Sequence, residues 1–223
     1  MNGSVYRDTY TLLYMKQLFD YAIKLGLLLN NPASAFKVNN AGGVEKSRER
    51  ALANDEITHV FKVFREHSDS FSRDKYLACT LLLLLAVRKS EMTESSWSEF
   101  DLIEKKWFFP RERSKSGVGI VTLLPTLAIE ILHELKVRAC GSDYVFPNRR
   151  TSKSRHMGKD TLNRAIAKLF RGEPDKKQPP NVMGGVEYFT VHDLRRTSRS
   201  LLASPSVPPT GGRTVFKPQT EGC

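Results

Sequence analysis

The amino-acid sequence predicts a mainly helical (α+β) fold that contains one small three-stranded antiparallel sheet. Apolar residues recur at helical spacing in six segments between residues 8 and 203. Between residues 99 and 123 this period gives way to short apolar runs separated by turn residues, which indicates strands. After residue 203 the chain is rich in Pro, Gly, Ser and Thr and has no helical period, so we expect an irregular end.

The N-terminal part predicts one helix followed by a connection. Residues 8–29 carry apolar side chains at helical spacing, and Gly26 near their end favours a helix stop. The apolar stripe consists of Tyr14, Leu18, Tyr21, Ala22 and Leu25. Asn, Pro and Gly interrupt the pattern in NNPASAFKVNNAGG, so we expect a linker there.

Two helices of different character are predicted next. Residues 54–66 have one apolar face, formed by Ile57, Val60, Phe61 and Phe64. Residues 74–89 are apolar nearly all round, which is typical of a helix buried at the centre of a fold.

The period changes at EFDLIEKKWFFP and GVGIVTLLP, which predict short strands joined by turns. Helical spacing returns at 126–138, 159–171 and 191–203. Thr190 and Asp193 have capping-box spacing at the start of the last helix, with Asp in place of the usual Glu.

Composition and charge narrow the classes of protein. The chain has 223 residues, a net charge of +11 at pH 7 and a pI of about 9.7, which favours a polyanionic partner such as nucleic acid. The apolar run at 81–87 is too short to span a bilayer and the first ten residues lack a signal-peptide core, so we expect a cytoplasmic protein. Three distant cysteines and five scattered histidines predict no disulfide framework, metal site or cofactor.

The segment from Asn148 to Arg171 is strongly basic, and Asp160 is its only acid. A basic loop that leads into a basic helix is typical of contacts with the phosphate backbone, although a solvated charged face has the same composition. The predicted DNA-binding residues are Arg149, Arg150, Lys153, Arg155 and Lys159, together with Arg196 and Arg199 on the last helix.

Five side chains beside apolar elements form a candidate anion site. Arg88 and Glu91 lie at the end of the predicted buried helix at i,i+3 spacing, which alone fits an ordinary surface salt bridge better than a binding site. Lys115 lies between two predicted strands, where a lysine is usually solvated. His192 and Arg195 share a face at the start of the last helix, where backbone N–H groups favour anions.

These residue types together suit a phosphodiester. Two arginine forks can donate to its non-bridging oxygens and stabilise a pentacoordinate transition state without a metal. Histidine can donate to the same oxygens or move a proton, and lysine on a hairpin can protonate a departing sugar oxygen. Glu91 would hold Arg88 in its rotamer.

The sequence resembles the tyrosine recombinases, in their phage-integrase branch. AVRKSEMTESSWSEFDL, RSKSGVGIVTLLP, YVFP and FTVHDLRRTSRSLLA are similar to successive blocks of that family. An Arg-x-x-Glu block, a hairpin lysine and a His-x-x-Arg block in this order are jointly specific. The resemblance implies that Arg88 and Arg195 bind the phosphate, that Lys115 acts as the acid and His192 is the block's histidine, and that Glu91 supports the arginine.

The resemblance also implies an activity and partners. The family cleaves and rejoins DNA without a metal through a phosphotyrosine intermediate, in site-specific recombination and integration. We therefore expect double-stranded DNA at attachment sites as partner, a homo-oligomer on DNA in the full-length family member, and location at the bacterial nucleoid.

The resemblance covers roughly Tyr6 to Ala203 and predicts the domain organisation. Residues 1–38 would be the C-terminal part of the helical core-binding domain and 39–50 a linker. Residues 51–203 would be the catalytic domain and 204–223 an irregular tail.

The sequence departs from the family after the His-x-x-Arg block. The family has a second histidine or tryptophan and then a nucleophilic tyrosine, whereas this chain has no histidine after His192 and no tyrosine after Tyr188. Tyr188 does not match the family's position, so we interpret it as a packing residue. We expect a truncated or frame-shifted integrase in which no residue serves as nucleophile.

Two other functions remain open at this point. The chain could be a DNA-binding module that occupies or bends DNA without cutting it, because its charge and helices serve that role equally well. It could also be a metal-independent nuclease that uses His192, Lys115 and water, although no residue pattern selects this reading.

Overall fold

The computed structural model describes residues 3–37, 49–114, 117–149, 154–171, 181–203 and 214–215. The chain divides into two compact units, Met1–Arg48 and Glu49–Cys223. In the described part of the chain, none of the helices combines the length and hydrophobicity needed to cross a lipid bilayer.

The first unit contains helix α1, Gly3–Lys24, and a segment that folds back onto it. The side chain of Asn31 donates hydrogen bonds to the carbonyl of Lys16 at 3.0 Å and to the carboxylate of Asp20 at 2.6 Å. The predicted apolar stripe is exposed in the structure, since Tyr14 and Leu18 are both more than 60 % accessible, while Leu12 is buried.

The second unit is built around helix α3, Arg73–Leu85, as its all-round apolar sequence predicts. Its buried residues include Leu77, Leu81 and Leu82. Helices α2 (Asn54–Glu66), α5 (Thr126–Arg138) and α7 (Val191–Leu202) all pack against it. Helix α6, Thr161–Arg171, completes the core with its apolar face.

The end of α3 differs from the prediction of a helix over 74–89. The helix stops at Leu85 because Ala86 adopts a left-handed conformation with φ of 51°. A separate helix α4, Lys89–Thr93, then begins with Arg88 as its N-cap residue. Arg88 and Glu91 therefore do not lie at the end of the buried helix as expected, but across the first turn of a new one.

The sheet consists of short antiparallel strands in the order β1-β2-β3-β4. Strands β1 (Phe100–Asp101), β2 (Lys106–Phe109) and β3 (Ile120–Leu123) confirm the predicted three-stranded sheet. Trp107 pairs with Thr122, and Trp107 packs its ring into the core.

A fourth strand was not predicted. Strand β4, Thr214–Val215, pairs with Ile120 and Val121 of β3, and it lies within the segment expected to be irregular. In the YVFP segment, Val145 and Phe146 are buried in the core.

Candidate nucleic-acid interface

The Arg88–Glu91 pair is a half-buried ion pair. The Nη1 atom of Arg88 donates to Oε1 of Glu91 at 2.7 Å, and the backbone N–H of Arg88 donates to Oε2 at 2.8 Å. The Glu91 side chain is 3 % exposed and that of Arg88 is 41 % exposed. One carboxylate thus fixes both the backbone and the side chain of an arginine that still reaches the surface, which an ordinary surface salt bridge does not do.

Arg113, which sequence reasoning missed, supports the same short helix. It donates to the backbone carbonyls of Glu91 and Glu94 and forms an ion pair of 2.6 Å with Glu99. The sequence gives a weak signal for it, since an arginine before a turn is ordinary, and its partners lie 14 to 22 positions away.

The start of helix α7 is fixed by three side chains. The carboxylate of Asp193 accepts hydrogen bonds from the N–H and the hydroxyl of Thr190 at 2.8 and 2.9 Å, which confirms the role predicted for Asp193 in the cap. The side-chain oxygen of Asn163 on α6 accepts from the N–H of Val191 at 3.0 Å. This cap determines where the side chains of the first two turns emerge.

The basic residues of α7 differ in exposure. His192 and Arg199 are exposed, whereas Arg195 and Arg196 are half-buried. The Nη1 atom of Arg196 lies 3.3 Å from the carboxylate of Asp193. Partial burial of its ring, together with the charges of Arg196 and Arg195, lowers the pKa of His192 below its ordinary value. The lowered pKa favours the neutral ring at pH 7.

The two predicted phosphate-binding arginines lie on elements that both pack against α3, Arg195 on α7 and Arg88 at the start of α4. Helix α7, with Arg195, packs against α3, and Arg88 lies three residues after the end of α3. Lys115 lies outside the described residues. The described residues on either side of it, Ser114 and Gly117, are joined by a backbone hydrogen bond of 3.0 Å.

The predicted DNA-binding residues of the basic segment are partly engaged by acids. Arg149 donates to Asp74 and to the carbonyl of Arg138, both at 2.9 Å. Arg155 forms an exposed ion pair of 2.8 Å with Asp143. Lys159 is exposed, and Arg150 and Lys153 lie outside the described residues.

Tyr188 packs its ring edge-on against Phe170, with 5.1 Å between the ring centroids. This contact is the one expected of a packing residue. Within the described ranges, no group of His, Cys, Asp and Glu side chains has an arrangement that could hold a metal ion.

The fold and these blocks define a class of protein. The model of the phage integrase family matches residues 50–210 of the chain. The chain therefore belongs to the phage integrase family, as the sequence blocks predicted.

Known proteins with similar sequences and folds are also integrases. The chain is 24 % identical over 200 residues to prophage integrase IntA of Escherichia coli (strain K12), a match that covers 87 % of this chain and 43 % of that protein. The chain thus spans less than half the length of this curated relative.

Two solved structures share the fold. Lambda integrase (residues 75–356) bound to DNA superposes with a TM-score of 0.63 at 19 % identity, over 90 % of this chain and 66 % of that one. The Tn1549 transposon integrase, in complex with a circular intermediate DNA, gives 0.61 at 14 % identity, over 93 % and 75 %. At these identities the similarity shows the fold.

Proposed function

We propose that this chain binds double-stranded DNA and belongs to a site-specific recombination system of a phage or mobile element, in the bacterial nucleoid. The full-length system would cleave and rejoin DNA without a metal through a phosphotyrosine intermediate, as a homo-oligomer. Family membership and the DNA-bound integrases that share the fold support this proposal. The observation that carries it is the Arg88–Glu91 pair, presented by its own short helix directly after the central helix α3.

In this proposal two arginines bind one phosphate. Arg88 would donate with its guanidinium, held by Glu91, and Arg195 would donate from α7. A shared site is supported by the packing of α3 against both α7, which carries Arg195, and α4, whose N-cap residue is Arg88. Two fixed positive charges at one phosphate would stabilise the negative charge of the transition state.

His192 and Lys115 would move protons or donate to the same phosphate. A neutral His192 ring can donate from one nitrogen and accept at the other, so its lowered pKa suits this role. Lys115 would act as general acid toward the departing sugar oxygen. Arg149, Arg150, Lys153, Arg155, Lys159, Arg196 and Arg199 would contact the DNA backbone on either side.

The second candidate function is a catalytically inactive DNA-binding module. The observation that favours it is the absence of any tyrosine among residues 189–223. Incubation with duplex DNA, followed by denaturing electrophoresis and peptide mapping, tests whether these 223 residues form a covalent intermediate. We expect no covalent adduct from these 223 residues, and an adduct that maps to any of their seven tyrosines would contradict the inactive reading.

Arg88→Ala tests the phosphate contact itself. We expect the slope of log affinity against log salt for a fluorescent 30-base-pair duplex to fall in magnitude by about 1, because one phosphate loses its partner. The matched control is Arg65→Ala, since Arg65 is exposed on the outer side of α2. If both variants kept the slope of the unmodified chain, binding would be diffuse and the proposed site would be wrong.

A further inference from the structure

The structure links the sheet to the short helix that carries Arg88 through one guanidinium group. The Nη1 atom of Arg113 donates to Oε1 of Glu99 at 2.6 Å and to the carbonyl of Glu94, and its Nη2 atom donates to the carbonyl of Glu91 at 2.8 Å. Both terminal nitrogens of Arg113 are therefore committed to acceptors of the protein. The planar fork of arginine suits this arrangement, because lysine has a single nitrogen.

Helix α4 needs such a partner because it is only five residues long. The last four carbonyls of any helix accept no hydrogen bond from within the helix. In a helix of about one and a half turns, most carbonyls belong to this group. Arg113 donates to the carbonyl of Glu91 within the helix and to that of Glu94, the residue that follows it. It contributes positive charge at the C-terminal end of the helix, where the helix dipole favours it.

The other side of Arg113 is fixed to the sheet. Glu99, which is 9 % exposed, also accepts hydrogen bonds from the indole N–H of Trp107 at 3.0 Å and from the N–H of Ser96 at 3.1 Å. The ring of Phe109 lies under the guanidinium carbon, at 5.0 Å from its centroid. Arg113 therefore connects α4 to the buried Glu99 and, through Trp107 and Phe109, to β2.

A continuous path leads from Arg113 to Arg88. Arg113 binds the backbone carbonyl of Glu91, and the carboxylate of the same Glu91 binds the backbone and the side chain of Arg88. We infer that Arg113 is a positioning residue, which fixes Glu91 and through it the guanidinium of Arg88 for a phosphate. This inference rests on the proposed function of Arg88 as a phosphate ligand.

Arg113→Lys is the variant that tests the inference, because it keeps the charge and removes the fork. We expect it to weaken binding of a fluorescent 30-base-pair duplex by about threefold to tenfold in the unmodified chain. In the Arg88→Ala background the same change should have less than about a twofold effect, because the residue it positions is gone. The control is Arg111→Lys, since Arg111 is exposed on the same turn, pairs with the adjacent Glu112, and should leave affinity unchanged in both backgrounds.

A measurement without DNA separates this inference from the proposed function. We expect Arg113→Lys to change the ¹⁵N–¹H signal of the Arg88 side chain and to accelerate hydrogen exchange at the Arg88 amide, which Glu91 binds in the intact chain. Exchange of the core amides of α3 should stay unchanged, which excludes general unfolding. If Arg113→Lys did not fold, Glu99→Gln would serve instead, with a smaller change of the same kind because the charge of the anchoring acid is lost.

Unchanged Arg88 signals in Arg113→Lys, or an equal loss of affinity in both backgrounds, would overturn the positioning role. An inert Arg88→Ala together with altered Arg88 signals in Arg113→Lys would overturn the phosphate site and, with it, the phosphate-directed role inferred for Arg113.

Discussion

The burial of the Glu91 carboxylate distinguishes its ion pair with Arg88 from an ordinary surface salt bridge. An exposed Arg–Glu pair contributes little to stability, but a carboxylate that is 3 % exposed must keep its partners or bear the cost of an unpaired buried charge. Glu91 has Arg88 bound at both oxygens. The same contacts that fold the start of α4 therefore orient a cation toward the surface, and changes at Glu91 should affect both stability and DNA affinity.

His192 should couple DNA binding to pH. Burial and two neighbouring arginines lower its pKa in the free protein, and a phosphate placed nearby would offset those charges and raise it again. Binding should therefore take up a proton, so that DNA affinity rises as the pH falls through the region just below 6.5.

Affinity for the duplex measured by fluorescence anisotropy between pH 5.5 and 8 would check this coupling. His192→Gln should flatten the rise, while His133→Gln, on α5, should leave it intact. A curve of the same shape in His192→Gln would show that another group takes up the proton.

The same lowered pKa has a consequence for the free protein. The unfolded chain binds a proton at His192 more readily than the folded chain does, so this residue favours folding above its unfolded pKa. That contribution decreases as the pH falls from about 6.5 toward the lower folded value.

At the scale of elements, the periodicity of apolar residues predicted the helices whose apolar faces pack into the core. The bounds of α2 and α5 agree with the predicted segments 54–66 and 126–138, because an apolar face at 3.6-residue spacing is buried along its whole length. The end of α3 was not predictable, since an alanine carries no signal for the left-handed conformation that stops the helix. Helix α4 and the role of Arg113 depend on contacts between segments, which periodicity does not contain.

The cap of α7 should be measurable as stability. Asn163→Ala removes the acceptor for the N–H of Val191, so we expect the free energy of unfolding to fall by about 1 kcal/mol. Urea unfolding followed by circular dichroism would measure it. Asn163→Asp keeps an acceptor oxygen at the same place and should lose much less, whereas equal losses in both variants would assign the effect to packing of the side chain.

At the scale of the molecule, one buried helix organises the second unit. Helices α2, α5 and α7 all pack against α3, so three helices share one leucine-rich packing partner. The whole chain has a net charge of +11, and in the second unit Asp74 forms ion pairs with both Arg138 and Arg149. The charge favours the kind of partner that we propose, and the apolar pattern predicted the fold.

Truncation of a central leucine should therefore be costly. We expect Leu82→Ala to lower the free energy of unfolding by about 2–5 kcal/mol, because Leu82 is 1 % exposed and its removal leaves a cavity. The comparison variant is Leu84→Ala, on the half-buried side of the same helix, which should lose less. Urea midpoints that were the same for the two variants would mean that α3 is not the centre of the cooperative unit.

Ala86 gives the fold a sharp change of direction from one pair of backbone angles. If residues 86–88 continued α3 instead, the helical rise would carry Arg88 about 4.5 Å beyond Leu85 and rotate it by about 300° around the axis. Arg88 would then belong to the cylinder of α3, and the capping contact with Glu91 would not form. The backbone conformation of Ala86 therefore determines the direction in which the Arg88 guanidinium points.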